Sequence, residues 1–503
     1  MIECTNVNMT DGKVGMVEYT WKNGTDHELG RDSTIHVAGF GKVFGGGKGI
    51  DNLSYSGARD VALVQDSTNV TISGGHVFYN VYGGGELASV GMRDVADYMI
   101  GEVTYEDFKP KVDHQGNDST GMAMVTILGG QIGPEPMLVK RTDASITYDS
   151  INLPVALTGY DGYVFGGGQG ISDDKDENYK EFADVNNTCV TINMQSADTE
   201  LNRIWGSIFG GAEDGHVLGN DTVYYLAGLS GTDGTTSYDG NIFGGGRNYN
   251  KENFSAGRTR GNNFVEMAGG QLYGNIYGGG RLALTGVDLS GKNMLDGTDH
   301  GYAKVLVKGG TVGNADTIVN FTFNSMGNVY AGGKGSMEPM DDFPESILLF
   351  GLTKNTEVEI SDTLGHNTHV YGIVFGGGEI ANVGKYTWTE DPDTIVTSIT
   401  EGTAKVKISG GIIGGDISQM RYELADPSDP GNWYLKYNDD LGYVYGGGEG
   451  WSDDPDAYDK TYVGSTSNQV SLLDLMATVN STEVTITNDT VNGVVHRTWV
   501  KAS

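Results

Sequence analysis

Apolar and polar residues alternate in a stretch that recurs along the chain. It is clearest in "NVTISGG" from Asn69, "MVTILGG" from Met124, "FVEMAGG" from Phe264, "VLVKGG" from Val305 and "KVKISGG" from Lys405. A period of two marks a strand with one buried face. Each of these stretches ends in a glycine pair. Beyond it comes a bridge, short or long, and then a second, shorter apolar stretch that runs into three small residues. That second stretch occurs nine times: "VFGGGKG" at Val43, "VYGGGEL" at Val81, "VFGGGQG" at Val164, "IFGGAED" at Ile208, "IFGGGRN" at Ile242, "IYGGGRL" at Ile276, "VYAGGKG" at Val329, "VFGGGEI" at Val374 and "VYGGGEG" at Val444. The predicted unit is a strand, a glycine corner, a bridge, a second strand and a glycine-rich corner.

Repeated units of this kind bury a face by stacking on their neighbours, so equivalent residues should form ladders. One ladder would hold Val43, Val81, Val164, Ile208, Ile242, Ile276, Val329, Val374 and Val444. The next would hold Phe44, Tyr82, Phe165, Phe209, Phe243, Tyr277, Tyr330, Phe375 and Tyr445. Neighbours in a strand point to opposite faces. The valines and isoleucines are therefore expected inside, and the aromatics half-buried under inserted loops. The corner glycines Gly45, Gly83, Gly166, Gly210, Gly244, Gly278, Gly332, Gly376 and Gly446 are expected to supply positive φ at a sharp turn and to admit the next unit closely. The fold class that follows is all-β, a parallel β-helix (β-solenoid) with long inserted loops. The alternative is a β-propeller, whose kelch-type blades also carry paired glycines after an apolar run.

A longer period lies above the unit. "VYGGGELASVG" (Val81–Gly91) matches "VFGGGEIANVG" (Val374–Gly384), and "GYVFGGGQGISDDKD" (Gly162–Asp176) matches "GYVYGGGEGWSDDPD" (Gly442–Asp456). The register of six units restarts at Val329. The chain thus reads as one elongated repeat domain over 1–503, with a first super-repeat at about 34–320 and a second, partial one at about 321–503. "STEVTITNDTVNGVVHRTW" (Ser481–Trp499) echoes "NTCVTINMQSADTELNRIW" (Asn187–Trp205), and the chain is expected to be a fragment of a longer array.

The repeated "GG…VYGGG" pattern resembles the Gly-rich repeats of large bacterial cell-surface, adhesin-like proteins. The resemblance covers nearly the whole chain. It implies a β-helix, an extracellular or cell-surface location and a structural or adhesive role.

Composition narrows the partners. The chain carries 66 acidic against 32 basic residues, a net charge of −34. Such a surface repels nucleic acid and anionic membranes and favours cations. No apolar run is long enough for a membrane span. No signal peptide is present in "MIECTNVNMTDGK". The two cysteines, Cys4 and Cys189, form no metal pattern, and Cys189 in "TCVTI" reads as a small buried hydrophobe.

The strongest candidate chemistry is calcium. "ISDDKDENYKE" offers Asp174, Asp176 and Asn178 at alternating positions, and its copy "WSDDPDAYDK" offers Asp454, Asp456 and Asp459. Alternating side-chain oxygens in a loop suit that ion, although neither copy has the glycine and terminal glutamate of an EF-hand. The plainer reading is a solvated acidic loop. A second feature is the position after each triplet: Lys48, Glu86, Gln169, Glu213, Arg247, Arg281, Lys334, Glu379 and Glu449. Ion pairing between neighbouring units is the favoured reading. Arg247, Arg281 and Lys334 pair less easily within the column, and would hold an anion or meet loop carboxylates. His36, His76, His216 and His366 are scattered, and no Asp/His constellation, phosphate loop or metalloprotease helix is present. The aromatics of "GNWYLKY" (Gly431–Tyr437) and "GKYTWTED" (Gly384–Asp391) would stack on sugars or, as favoured here, pack loops onto the frame.

The reading is therefore a non-enzymatic, extracellular structural or adhesive protein. Its loops would bind a glycan or a host protein, or it would assemble with copies of itself or adjoining repeats into fibres. No ligand-binding residue is assigned. The alternative is a carbohydrate-active β-helix enzyme, a polysaccharide hydrolase or lyase, which needs paired carboxylates in one groove.

Overall fold

A computed structural model describes residues 2–22, 34–50, 60–100, 102–105, 107–111, 121–133, 162–171, 182–195, 202–231, 240–249, 255–291, 293–314, 327–340, 344–363, 367–389, 395–414, 421–424, 433–436, 442–450, 462–463, 470–471, 477–487, 489–491 and 494–496. The chain alternates between two parallel sheets. One, the large sheet, has fifteen strands, ten of them in a continuous path; the other has nine two-residue strands. Each of the nine is one copy of the Val/Ile–Phe/Tyr pair, and each pairs in parallel with the copies before and after it. We call one passage through both sheets a course and number the nine courses by their triplets. The restart at Val329 leaves no break, since Val329 pairs with Ile276 on one side and Val374 on the other.

Register in the large sheet is strict. Val7, Val70, Val125, Val190, Val223, Val265, Val305, Val358, Val406 and Val484 stand in one row. A slip by one residue would turn this row outward, so burial fixes the pairing. Most of the row joins Val81, Val164, Ile208 and the rest of the Val/Ile ladder in one core. That core lies between the two sheets. After the triplet a third line of parallel contacts follows, single residues only: Val90, Val185, Val217, Thr259, Thr285, Thr353, Val383 and Val479. The one helix among the described residues is a 3-10 turn at Pro344–Leu348, and no helix there is long and apolar enough to cross a membrane.

Three expectations need correction. The first is the fold class. A regular β-solenoid sheet is an open ladder of strands, but here pairing closes on itself. Met122–Ile132 pairs with Asn187–Asn193 and with Arg203–Ile204. Asn187–Asn193 pairs with Asp221–Ala227, and that strand with Asn263–Leu272. Asn263–Leu272 pairs with Leu229–Ser230, which returns to Arg203–Ile204. The cause is local. The fourth and fifth courses are each split into two strands, whereas the third and sixth run through unbroken. The fold is all-β, with this closed circuit of six parallel strands in the large sheet and a separate parallel sheet, in place of the β-helix. The propeller fails as well, because both sheets pair in parallel and run from course to course instead of forming four-stranded blades.

The second correction concerns the aromatic ladder. Tyr82, Phe165, Phe209, Phe243, Tyr277, Tyr330 and Phe375 are buried, in a core of their own with Tyr163. Their rings stack course on course, with centroids 4.5 to 5.1 Å apart from Tyr82 to Phe375. The chain turns back directly after each ring. The charged column then covers what would otherwise be an outer face: Arg247 lies 5.6 Å from the Phe165 centroid and Lys334 5.7 Å from that of Tyr277.

The third concerns the triplet glycines, which do not adopt positive φ. Close approach alone requires them. A Cβ on Gly211, the middle of its triplet, would lie 2.5 Å from Gly246 N, and one on Gly377 2.6 Å from Gly448 N. The middle residue is glycine in all nine copies, whereas Ala331 and Ala212 occupy first and third positions. Positive φ falls instead one residue after the charged position, at Leu87, Asp214, Leu282 and Ile380.

Candidate functional site: the excursion junctions

The courses are not equivalent. At the corner between the large sheet and the nine-stranded one, the odd courses send out an excursion and the even courses do not. The excursions leave and return through glycine pairs: Gly15 and Gly41, Gly133 and Gly162, Gly231 and Gly240, Gly313 and Gly327, Gly414 and Gly442. Gly133 and Gly162 show why. Both have positive φ, +102° and +87°, and a Cβ on Gly133 would lie 2.6 Å from Gly162 Cα. Only residues without a Cβ bring two backbones this close in such a conformation. The third line of contacts uses the same device at three points, between Gly91 and Gly121, Gly286 and Gly301, and Gly384 and Gly402.

Even courses carry a side-chain set that holds the odd junctions. Its pattern is donor, apolar, aromatic: His76-Val77-Phe78, Arg203-Ile204-Trp205, Gln271-Leu272-Tyr273 and His369-Val370-Tyr371. The donor crosses to the carbonyl of the glycine where the next excursion departs. His76 Nε2 donates to Gly133 O at 2.7 Å. Arg203 Nε donates to Gly231 O at 2.8 Å, Gln271 Nε2 to Gly313 O at 2.6 Å, and His369 Nε2 to Gly414 O at 2.9 Å. The central residue faces the core. The aromatic packs under its own donor, with His76 and Phe78 centroids 3.9 Å apart, His369 and Tyr371 3.8 Å, and Arg203 4.3 Å above Trp205. It also fills the space beside a glycine: a Cβ on Gly133 would lie 3.0 Å from Trp205 Cβ, and one on Gly231 3.3 Å from Tyr273 Cβ.

Beneath the junctions the backbone ladder continues. Gly133 N donates to Val77 O at 2.8 Å and Trp205 N to Ile132 O at 2.9 Å; on the return side Gly206 N donates to Gly162 O at 3.1 Å. Asparagines extend the same line. Asn275 N donates to Asn241 Oδ1, Asn328 N to Asn275 Oδ1 and Ile373 N to Asn328 Oδ1, each at 2.8 Å.

Excursions on the third line dock on the frame. Asp107, on the one between Gly91 and Gly121, accepts from Arg260 Nε at 2.7 Å, and Arg93 pairs with buried Asp184 at 3.2 Å. Asp184 also takes His216 Nδ1 at 3.0 Å, and Phe108 packs on Leu218 and Leu289. Tyr386, on the excursion after Gly384, packs against Leu284, Val287 and Leu348.

The charged column behaves as an ion-pair ladder. Arg247 Nη2 meets Glu213 Oε1 at 2.6 Å with both side chains buried, Lys334 meets Glu379 at 2.6 Å, and Lys48 meets Glu86 at 3.1 Å. Tyrosines reach into it from the aromatic stack. Tyr82 donates to Glu213, Tyr277 to Glu379 and Tyr330 to Glu449, with Asn80, Asn275 and Asn328 donating to the same three hydroxyls at 3.0 to 3.1 Å. Burial and the facing carboxylates hold all three phenols well above their ordinary range. Burial raises Glu449 as well. Asp221 faces inward from the large sheet, and burial pushes it up to about 7 although Thr188 and Thr259 donate to it.

The calcium candidates Asp174, Asp176, Asn178, Asp454, Asp456 and Asp459 all lie outside the described residues, as does His366. Among the described residues no three His, Cys, Asp or Glu side chains are grouped to hold a metal ion. The junction pairs and their donors carry no motif recognised from the sequence, in which His76 stands only as one of four scattered histidines. Their signal was present, as the donor-apolar-aromatic triplets of the even courses and the asparagine two residues before many of the aromatics. Comparison of the chain with protein-family models, with curated proteins and with solved structures finds no match.

Proposed function

We propose that this chain is a non-enzymatic structural protein of the cell surface, whose frame displays excursions that bind a glycan or protein partner. One observation carries the reading: every glycine junction returns an excursion to the point it left, while the ladder beneath it stays paired. Variable segments on a fixed scaffold are the usual arrangement of a binding surface. The acidic balance directs the search to neutral or cationic partners. Calcium in the two acidic loops belongs to the same proposal.

Binding of the whole chain to a glycan array and to intact cells tests the reading. Selective binding that is lost when an excursion is replaced supports it. An empty array together with no cell binding overturns it. A melting curve with and without chelator tests the calcium part, and an unchanged midpoint removes it.

A further inference from the structure

We infer that the glycine junctions are insertion sites, positions at which a segment can be removed or exchanged without altering the frame. The inference does not depend on what the excursions bind.

The even courses supply the comparison. In the sixth course the chain runs Tyr273-Gly274-Asn275-Ile276 into the nine-stranded sheet. The third course reaches the same sheet as Gly133, an excursion, then Gly162-Tyr163-Val164. Without residues 134–161 it would read Gly133-Gly162-Tyr163-Val164, equal in length to the sixth. Ile276 and Val164 occupy the same row of that sheet. The junction is also close enough to join. With a Cβ on Gly133 placed 2.6 Å from Gly162 Cα, the two Cα atoms are at most about 4 Å apart, near the ~3.8 Å of consecutive residues. The even courses are thus what the odd courses become when the excursion is taken out.

The same geometry explains the alternation. Met16–Lys22 and Thr34–Phe40 pair as an antiparallel ribbon on the excursion between Gly15 and Gly41. A ribbon with its side chains is about 10 Å thick, whereas parallel strands lie about 4.8 Å apart. A ribbon of that thickness spans about two courses, so the course next to it has no room for another of its kind. The even courses fill the gaps with an aromatic ring.

Two variants of the full chain test the inference. The first deletes 134–161 and joins Gly133 to Gly162. Its circular dichroism should stay all-β, the protein should stay monodisperse, and the melting midpoint should remain within about 3 °C. Unfolding, aggregation or a larger drop overturns the inference. The second keeps the native excursions, makes Tyr273→Gly and grafts a copy of 134–161 after residue 273, in an even course between two occupied junctions. Its midpoint should fall by more than about 5 °C below that of Tyr273→Gly alone. A graft tolerated as well as the deletion overturns the spacing argument. A deletion variant that folds but binds as before would count only against a binding role for 134–161, and would leave the insertion site standing.

Discussion

Arg203 lies across two courses: its Nε donates to the carbonyl of Gly231 at 2.8 Å, and its guanidinium sits 4.3 Å above the ring of Trp205. One side chain therefore ties the departure point of an excursion to the aromatic filler of the course before it. Charge-assisted hydrogen bonds and a stacked cation together contribute about 2 to 3 kcal/mol. Arg203→Met is expected to lose about that much. Arg203→Lys should recover only part, since a point charge replaces a planar fork. Urea unfolding of the three proteins reads the difference, and equal stability of Met and Lys variants would deny the role of the fork.

Triplet glycines that face a neighbouring course should tolerate a methyl poorly, at the first position, where a Cβ on Gly166 would lie 2.0 Å from Gly210 O, as well as at the middle one. Gly211→Ala places a methyl 2.5 Å from Gly246 N, and the two courses must separate. Overpacking of this kind costs about 1 to 3 kcal/mol. Ala331→Gly, at a first position, should cost about 1 kcal/mol or less. Thermal melts of the pair check the ranking.

Arg247 and Glu213 form a buried pair at 2.6 Å, to which Tyr82 adds a third member. Burial opposes the charge on Arg247, yet Glu213 holds it protonated above its ordinary range. Arg247→Met strands a buried carboxylate and should cost about 3 to 5 kcal/mol. Arg247→Met with Glu213→Gln should cost less than the single change, because the stranded charge is gone. A double variant no more stable than Arg247→Met would show that packing, not charge, is lost.

Acid should stabilise the interior around Asp221. Its folded value of about 7 exceeds the ordinary 3.8, so the folded state binds the extra proton. Stability from this group is present at low pH and declines from about pH 4 to 7, by up to about 1.4 kcal/mol per pH unit. Asp221→Asn should flatten that slope. The amide has a precedent in the neighbouring course, where Asn263 Nδ2 donates to Thr285 Oγ1 at 2.9 Å. Denaturation midpoints from pH 4 to 8 for both proteins measure it, and parallel curves would exclude Asp221 as the cause.

Glu357 works in the opposite direction on the outer face of the large sheet. Burial disfavours its charge, but hydrogen bonds from Tyr302, Lys407 and Lys304 more than offset that and hold the carboxyl at about 2. Its contribution is present above pH 4.5 and is lost as pH falls towards 2. Glu357→Gln should lower stability at pH 6 and converge with the parent at pH 2, by the same titration.

The sequence by itself determined the courses. Period-two stretches, glycine pairs and nine Val/Ile–Phe/Tyr steps are local features, and strand pairing between equivalent residues follows from repetition. The Val/Ile ladder could be read residue by residue, from Val43 to Val444, because one apolar position per unit needs one buried row. Where the aromatics went could not be read, because alternation says only that Phe165 opposes Val164. Whether the opposite face meets water depends on the chain turning back over it with Arg247. Only the tertiary structure decided that, and it also decided that the large sheet closes a six-strand circuit. The junctions lay beyond a sequence reading for a different reason. Gly133 and Gly162 are separated by the excursion they bound, so the contact that makes them a pair exists only once the strands on either side are paired.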